Sequence, residues 1–422
     1  MELTILKGKF VGWRLDHSCS VVIPLFIFAF RQDTVSAVHR HALDLKRRRG
    51  VGAKILKSLV YTIYWPVRAF FLALIAAVTI DRKLHGVDLS RIALFFTFWY
   101  LMVRYNMTIE ACLRFKLWLP RNRRHAGDYI QHHEIVRLMP WLSRNQNTEE
   151  VGNKVMFEAL CRKHGLPHAG IVATVTRRNL IINDGTHLPK ADLFSKFNGQ
   201  WGGSGGQAWT YDDVSATWRN GNHIFDEPEL LQYFKDAAHL GTIILQLKLI
   251  NGDAVRDFSS GALCTLRVVT TKLPKQQAEH LRSCLRMPIG QMDVDNFGVG
   301  GLSAGIEASG QLTPAIQKRD GYPIYNIHPD TGAQISDTKL AIWEDVLALA
   351  IDAHNVLTDV YSIGWDIAWT QHGPIIVEAN VGWGEDAVQM PNSDPLGKKF
   401  CDFYLSAKAA SQERAATEVH ST

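Results

Sequence analysis

The sequence predicts an α+β protein with a mainly helical N-terminal region, and three observations predict it. Residues 1–125 hold apolar stretches of helical spacing separated by basic connectors. From about residue 151, short apolar runs of strand length alternate with helical patterns and glycine-rich turns. The chain has 422 residues and is 46% hydrophobic, enough for two or three domains with a sizeable core.

The N-terminal third is set apart by charge. Residues 1–130 contain 21 Lys+Arg against 8 Asp+Glu, a local balance of +13, while the whole chain is +5. The basic runs include Lys46-Arg47-Arg48-Arg49 and Arg121-Asn122-Arg123-Arg124. They read either as solvated surface or as contacts to anionic lipid, each basic residue contributing about 1 kcal/mol near such a surface. Nucleic acid is not expected, since no nucleic-acid-binding motif accompanies them. The apolar stretch 59–80 is long enough to span a bilayer, but Pro66 and Arg68 interrupt it. Its apolar residues contribute roughly −5 kcal/mol to insertion and its central arginine opposes by about +3 kcal/mol. A span, an interfacial helix and burial within a helical domain therefore all stay open. The runs 20–30 and 92–103 are apolar but too short to span.

Six cysteines are scattered without a C-x-x-C pair or neighbouring histidines, so neither a disulfide framework nor a zinc site is expected. Met1 to Arg14 shows no apolar core of an export signal. Together these favour a cytoplasmic protein, with a peripheral position at the inner face of a membrane left open.

Residues 126–150 form a helical connector, with Ile135, Leu138, Met139 and Leu142 on one face. Strands are predicted at 170–175, Leu193–Phe197, 242–249, 262–271, 360–368 and 374–379, and an amphipathic helix at 340–356. Residues 409–422 are polar and predicted to fray.

Four segments carry chemistry. Gly364-Trp365-Asp366 and Ile375-Ile376-Val377-Glu378-Ala379-Asn380 flank a Gln-His-Gly-Pro turn and read as a hairpin. Period-two alternation puts Glu378 and Asn380 on one face, within reach of Asp366. Two carboxylates and an amide oxygen form a hard donor set suited to Mg²⁺ (or Mn²⁺). Lys196 closes an apolar strand and precedes a loop holding Gly202, Gly203, Ser204, Gly205 and Gly206. Such a loop lets backbone N–H groups approach phosphate, although its spacing is that of neither a P-loop nor a dinucleotide fingerprint. Lys154 opens a helix that ends at Gly165-Leu166-Pro167. Arg267 interrupts a β-branched run, which points it into a polar cleft where it can grip a phosphate or carboxylate. Arg286 and the Asp295-Asn296-Phe297-Gly298-Val299-Gly300-Gly301 loop follow.

These segments, in this order over about residues 150–405, resemble the ATP-grasp superfamily, most closely its sugar-transfer-associated, glutamate-ligase-related members. The resemblance also rests on the run from His328 to Gly332. It implies an ATP-grasp fold, two α+β lobes clamping a nucleotide, with an N-lobe within 126–250, a C-lobe over 251–408 and a tail from 409. It implies ATP contacts from Lys154, Lys196, the Gly202–Gly206 lid and the hinge residue Gln246. It implies metal ligation by Asp366, Glu378 and Asn380, and roles at the reaction centre for Arg267, Arg286 and Asn296. Phe197 departs from the family's usual proline, and Leu247 and Lys248 stand where an acidic hinge residue is common. The acidic, tryptophan-rich run 381–386 is placed toward substrate.

The implied reaction is that of an ADP-forming carboxylate–amine ligase using ATP and Mg²⁺, with small-molecule or lipid- or sugar-linked substrates in cell-surface polysaccharide synthesis. A kinase-like phosphotransferase and a non-catalytic nucleotide-binding scaffold are the alternatives. Oligomeric state and the substrates' identities are not readable from the sequence.

Overall fold

The computed structural model describes residues 32–48, 54–183, 185–199, 205–290, 292–357, 360–391 and 394–420. The apolar run 20–30 and the lid residues Gly202, Gly203 and Ser204 lie outside them. The longer helices are α1 (Thr34–Arg48), α2 (Lys54–Thr79), α3 (Arg91–Tyr105), α4 (His132–Ser143), α5 (Lys154–Lys163), α6 (Glu227–Ala237), α7 (Trp343–Val356) and α8 (Gly397–His420).

The chain divides into two compact units. One comprises Met1–Asn145, Arg319–Ile324 and Gly384–Thr422; the other comprises Gln146–Lys318 and Tyr325–Trp383. The helical unit thus extends past the sequence-based division at 125 and takes in the C-terminal helix. Residues 409–420, predicted to fray, continue α8. Packing rather than sequence adjacency defines the unit, because α8 and α4 both pack on α1. His39 of α1 is fully enclosed and pairs with Glu134 of α4 at 2.5 Å, while its other ring nitrogen meets the Gly127 carbonyl at 2.9 Å. Gln131 and Glu134 form a reciprocal capping box that starts α4. Among the described residues, no helix is long and apolar enough to cross a membrane.

The second unit holds two antiparallel sheets. The first contains β1 (Ile171–Val175), β2 (Leu180–Ile182), β3 (Leu193–Phe197), β4 (Gln207–Asp212), β5 (Thr217–Asn220), β6 (His223–Phe225) and β7 (Ile243–Leu247), in the order β2-β1-β7-β3-β4-β5-β6. One face packs Ala173, Leu193, Trp209 and Leu245 against Leu230 and Phe234 of α6. The second contains β8 (Thr265–Thr271), β9 (Glu279–Met287), β10 (Leu302–Ile306), β11 (Leu312–Gln317), β12 (Ile324–Tyr325), β13 (Ser362–Thr370) and β14 (Gly373–Asn380), in the order β12-β11-β10-β9-β8-β13-β14. Its apolar face sets Leu266, Leu285, Trp365 and Ile367 against Val346 and Ala353 of α7.

The boundaries differ from the sequence expectation for local reasons. β8 begins three residues late because the Ala262 carbonyl is taken by the side chains of Asn251 and Ser259. α7 begins at Trp343 because the Leu340 N–H bonds to the Gly310 carbonyl at 2.9 Å. Strands β2, β4–β6 and β9–β12 were not predicted. β9, Glu-His-Leu-Arg-Ser-Cys-Leu-Arg-Met, puts polar residues on its cavity side and so lacks the apolar run of a core strand.

Behind the second sheet, the His354 ring bonds to Thr270 Oγ1 at 2.7 Å and to the Val360 carbonyl at 2.9 Å. Burial pushes its pKa down to about 4. An unfolded histidine takes up its proton near pH 6.5, so the contribution of neutral His354 is present above that value and is lost as pH falls toward 4. Stability should drop by on the order of 3 kcal/mol across that window. Urea unfolding at a series of pH values checks this, and His354→Gln should flatten the slope.

Candidate active site

The polar face of the second sheet is built by strand register. Arg267 on β8 lies opposite Asp366 on β13, and Asp366 lies opposite Glu378 on β14. A bulge after Asp366 keeps Glu378 in that row. Two residues along, Thr265 lies opposite Arg286, and Gly364 lies opposite Asn380. Opposed residues of an antiparallel pair project to one side, so the six side chains and Gly364 share one surface. The six side chains line a cavity of about 590 Å³, within the ordinary size of a small-molecule site.

The first sheet supplies the facing wall. Phe194 and Lys196 of β3 and Gln246 of β7 line the same cavity. Lys154, at the start of α5, sets its Nζ 3.0 Å from the cavity's Glu378. The N-terminus of α5 is held in place by Asn153, whose side chain caps Val155 and Met156, and by Asn198, which accepts from the Lys154 N–H at 2.8 Å.

Electrostatics tie the surface together. Arg267 grips Asp366 with Nε at 2.5 Å and a second nitrogen at 3.0 Å. Arg286 meets the same carboxylate at 3.0 Å, Asp295 at 3.5 Å and the Thr265 hydroxyl at 2.7 Å. Thr265 in turn donates to Asp295. Burial alone would raise the Asp366 pKa, but Arg267 and Arg286 hold it below the usual carboxylate range. Burial dominates at Asp295 and raises it, with Arg286 and Thr265 opposing. At Lys196 burial lowers the pKa to about 8, with Glu378 working against that.

Gly364 sits where side chains converge. A Cβ there would fall 2.5 Å from Cβ of Trp383 and 3.3 Å from Cδ of Arg267. Glycine lets both lie across the strand, and Trp383 is fixed by donating to Ser362 Oγ at 2.9 Å.

This chain matches the sugar-transfer associated ATP-grasp family over residues 136–402. It belongs to that family. No curated protein matches the chain. Solved structures with similarity include the D-alanine–D-alanine ligase from Bacillus anthracis, at 12% identity, covering 63% of this chain and 69% of that one with a TM-score of 0.35. The corresponding ligase from Coxiella burnetii gives 10% identity, 65% and 63% coverage, and a TM-score of 0.38. An L-amino acid ligase from Bacillus licheniformis gives 10%, 59%, 48% and 0.33. At these scores the likeness decides nothing about the reaction.

In this ATP-grasp chain the named site residues fall into distinct positions. Lys196, Arg267, Arg286, Asp366, Glu378 and Asn380 meet at the cavity. Gln246 borders it, but its amide is turned to the Ala169 carbonyl at 2.6 Å. Asn296 also borders it, and its side-chain oxygen accepts from the Gly298 N–H at 2.8 Å. Of the lid, Gly205 and Gly206 are described; Gly205, at φ +74°, lies against the Phe197 ring, where a Cβ would come within 2.6 Å. Phe197, the departure from the family's proline, thus packs on the lid's end. Leu247 and Lys248 follow Gln246 along the cavity wall, and Lys248 is tied to Asp192, its N–H bonding the Asp192 carbonyl at 2.9 Å.

The run from His328 to Gly332 is a turn that braces the cavity edge. His328 bonds to the Pro288 carbonyl at 3.0 Å, and Asp330 accepts from the Gly290 N–H at 2.6 Å.

One expectation is corrected. The run 381–386 does not face the cavity: Trp383 is buried beneath Ser362, and Glu385 is fully buried in the helical unit against Arg114 and His132, each at 3.3 Å. Two basic partners offset the desolvation cost of enclosing this carboxylate, a pairing invisible in the local run. Conversely, Thr265, Asp295 and Asn198 were not singled out. Asp295 stood beside the chosen Asn296; its contacts with Arg286 and Thr265 distinguish the two.

The donor set fits a divalent cation. It comprises two carboxylates and the Asn380 amide, whose nitrogen donates to Asp366 at 3.3 Å. The Asp366 oxygens are held by Arg267 and Arg286 and Glu378 by Lys154, so a cation would bind in exchange for some of these contacts. Mg²⁺ commonly takes one or two carboxylates and completes its shell with phosphate oxygens and water. Among the described residues, no group of three His, Cys, Asp or Glu could hold a metal.

Proposed function

We propose that this chain is an ATP-dependent ligase that activates a carboxylate as an acyl phosphate and joins it to an amine. The observation that carries the reading is the charge pattern of the cavity. Lys154, Lys196, Arg267 and Arg286 cluster about Asp366 and Glu378, and Lys248, Asp293, Asp295 and Asp330 line the rest of the cavity. Four cations gathered around two carboxylates suit a polyphosphate carrying a divalent cation and the charge that develops in phosphoryl transfer.

Asp366, Glu378 and Asn380 would hold Mg²⁺, which supplies charge neutralisation across the phosphates. Lys154 and Lys196 stand beside Glu378 to take phosphate oxygens. The substrate carboxylate oxygen forms a bond to the γ-phosphorus as the bond to the β–γ bridging oxygen breaks and ADP leaves. Arg267 and Arg286 offset the charge on the transferring group. The amine then attacks the acyl carbon, phosphate departs, and the amine's proton passes to water. The first step needs no base, because a carboxylate is already nucleophilic. The family's description, sugar-transfer associated, supports a sugar- or lipid-linked substrate in cell-surface polysaccharide synthesis.

The test is an ADP-release screen across carboxylates and amines, with mass detection of product. A new amide plus free phosphate is expected. A stable phosphorylated product would instead mark a phosphotransferase, and no ADP release with any pair would mark a binding protein.

Lys196 gives a further check on the nucleotide end. With its pKa at about 8, part of the population is neutral near and above that pH. A triphosphate beside it favours the charged form. ATP binding should therefore take up a fraction of a proton at about pH 8.5 and almost none through this group near pH 6.5. Titration calorimetry in buffers of different ionisation enthalpy reads this directly, and Lys196→Met should abolish the uptake.

A further inference from the structure

The helical unit has a surface that the ligase reading does not use. α2 and α3 pack as an antiparallel pair, with the indole of Trp65 donating to the Met102 carbonyl at 3.3 Å and that of Trp99 to the Pro66 carbonyl at 3.2 Å. Their inner faces are apolar and buried, through Ala69, Ala73 and Ala76 on α2 and Leu94, Phe98 and Leu101 on α3. Their outer faces are apolar as well. On α2, Tyr64, Val67, Phe71, Leu74 and Val78 recur every three or four residues and are exposed. On α3, Ile92, Phe96 and Tyr100 do the same.

Ring contacts join the two stripes into one patch. Phe71 meets Phe70 at 5.6 Å between centroids, Phe70 meets Phe95 at 5.0 Å, and Phe95 meets Phe96 at 4.9 Å. Phe71 is 56% exposed, Phe96 55%, Val78 58% and Ile92 72%. A contiguous apolar surface of this kind marks an interaction site rather than ordinary solvent-facing surface.

Charge selects the occupant. Neither helix contains an acidic residue. Between residues 54 and 109 there are seven Lys and Arg against Asp81 and Asp88 alone. Lys83 and Arg91, in and after the turn that joins the helices, are exposed. A second copy docked on this patch by two-fold symmetry would bring like-charged rims together without compensation. An anionic lipid surface meets both properties, taking the apolar rings among its acyl chains and the basic side chains among its head groups. Tyr64 and Tyr100 offer the amphipathic rings that suit the head-group layer.

We propose that the outer face of the α2–α3 pair seats this protein on an anionic bilayer, with the helices lying in the interface. One side of α2 stays buried in protein and the other enters lipid. This proposal stands independently of the reaction.

The test is flotation of the full chain with phosphatidylcholine vesicles and with vesicles that also contain phosphatidylglycerol. Binding should be at least about tenfold tighter to the anionic vesicles and should weaken with salt. Phe71→Glu with Phe96→Glu should abolish flotation while helix content and the thermal midpoint stay as in the native protein, since both rings are exposed. Native protein that stays with the unbound fraction at low salt overturns the proposal. So does a double variant that floats like the native chain. Self-association in sedimentation, lost in the double variant and without vesicle binding, would assign the patch to a second copy and overturn it too.

Discussion

Glu378→Ala should lower ADP release by about 10²–10³-fold, the scale on which one preorganised charge partner matters in a transition state. The protein should stay folded. Glu378 is partly exposed at the cavity wall, and its partner Lys154 has a long, flexible stem that can turn into the cavity. Two readouts separate a metal role from a structural one. Native protein should bind ADP more tightly with Mg²⁺ present, and the variant should lose that dependence. Glu378→Gln keeps the shape without the charge, so it should lose the Mg²⁺ effect as well. A folded alanine variant that releases ADP at the native rate would remove Glu378 from the proposed reaction.

Glu385→Ala should destabilise the helical unit by about 3 kcal/mol, because it leaves Arg114 buried with a partner missing. Breaking a buried pair commonly costs about 3–5 kcal/mol. The lower end applies here, because Arg114 also pairs with Glu110 and lies near Asp386. The Arg114 guanidinium is disfavoured by burial and held charged by those carboxylates. Arg114→Met alone should also destabilise, by leaving Glu385 enclosed with His132 as its remaining basic partner. In the double variant the two losses should not add, which a double-mutant cycle in urea would show. Full additivity would mean that the two side chains do not interact. The same variants should leave nucleotide binding unchanged in the surviving folded fraction, since neither residue lines the cavity.

The strands that hold the site were largely legible. Leu193–Phe197 was read with its observed ends, Glu378 and Asn380 were placed on one face by alternation, and the hairpin put Asp366 within reach of them. That worked because period-two alternation is a property of the extended backbone itself. Arg267 stood out for the same reason, being the one charge in the run Thr265–Thr271. β9 escaped because its cavity face is as polar as a solvent face, so sequence cannot tell a strand lining a charged site from one lining water. Its Arg286 was noted, but not its position beside Thr265.

What the sequence settled by itself was therefore which residues face together on a strand, and that the chain changes character near residue 150. Only the tertiary structure decided which of them are partners. Arg267 meets Asp366 across 99 residues of chain, and Arg114 meets Glu385 across 271. Such pairings follow from sheet order and helix packing, whose free energy is spread over many apolar contacts and leaves no mark in a local run. That Glu378 and Asn380 share a face thus came from the chain's own periodicity. The arginines that hold Asp366 charged, the lysine on Glu378 and the enclosure of Glu385 away from the cavity came from packing.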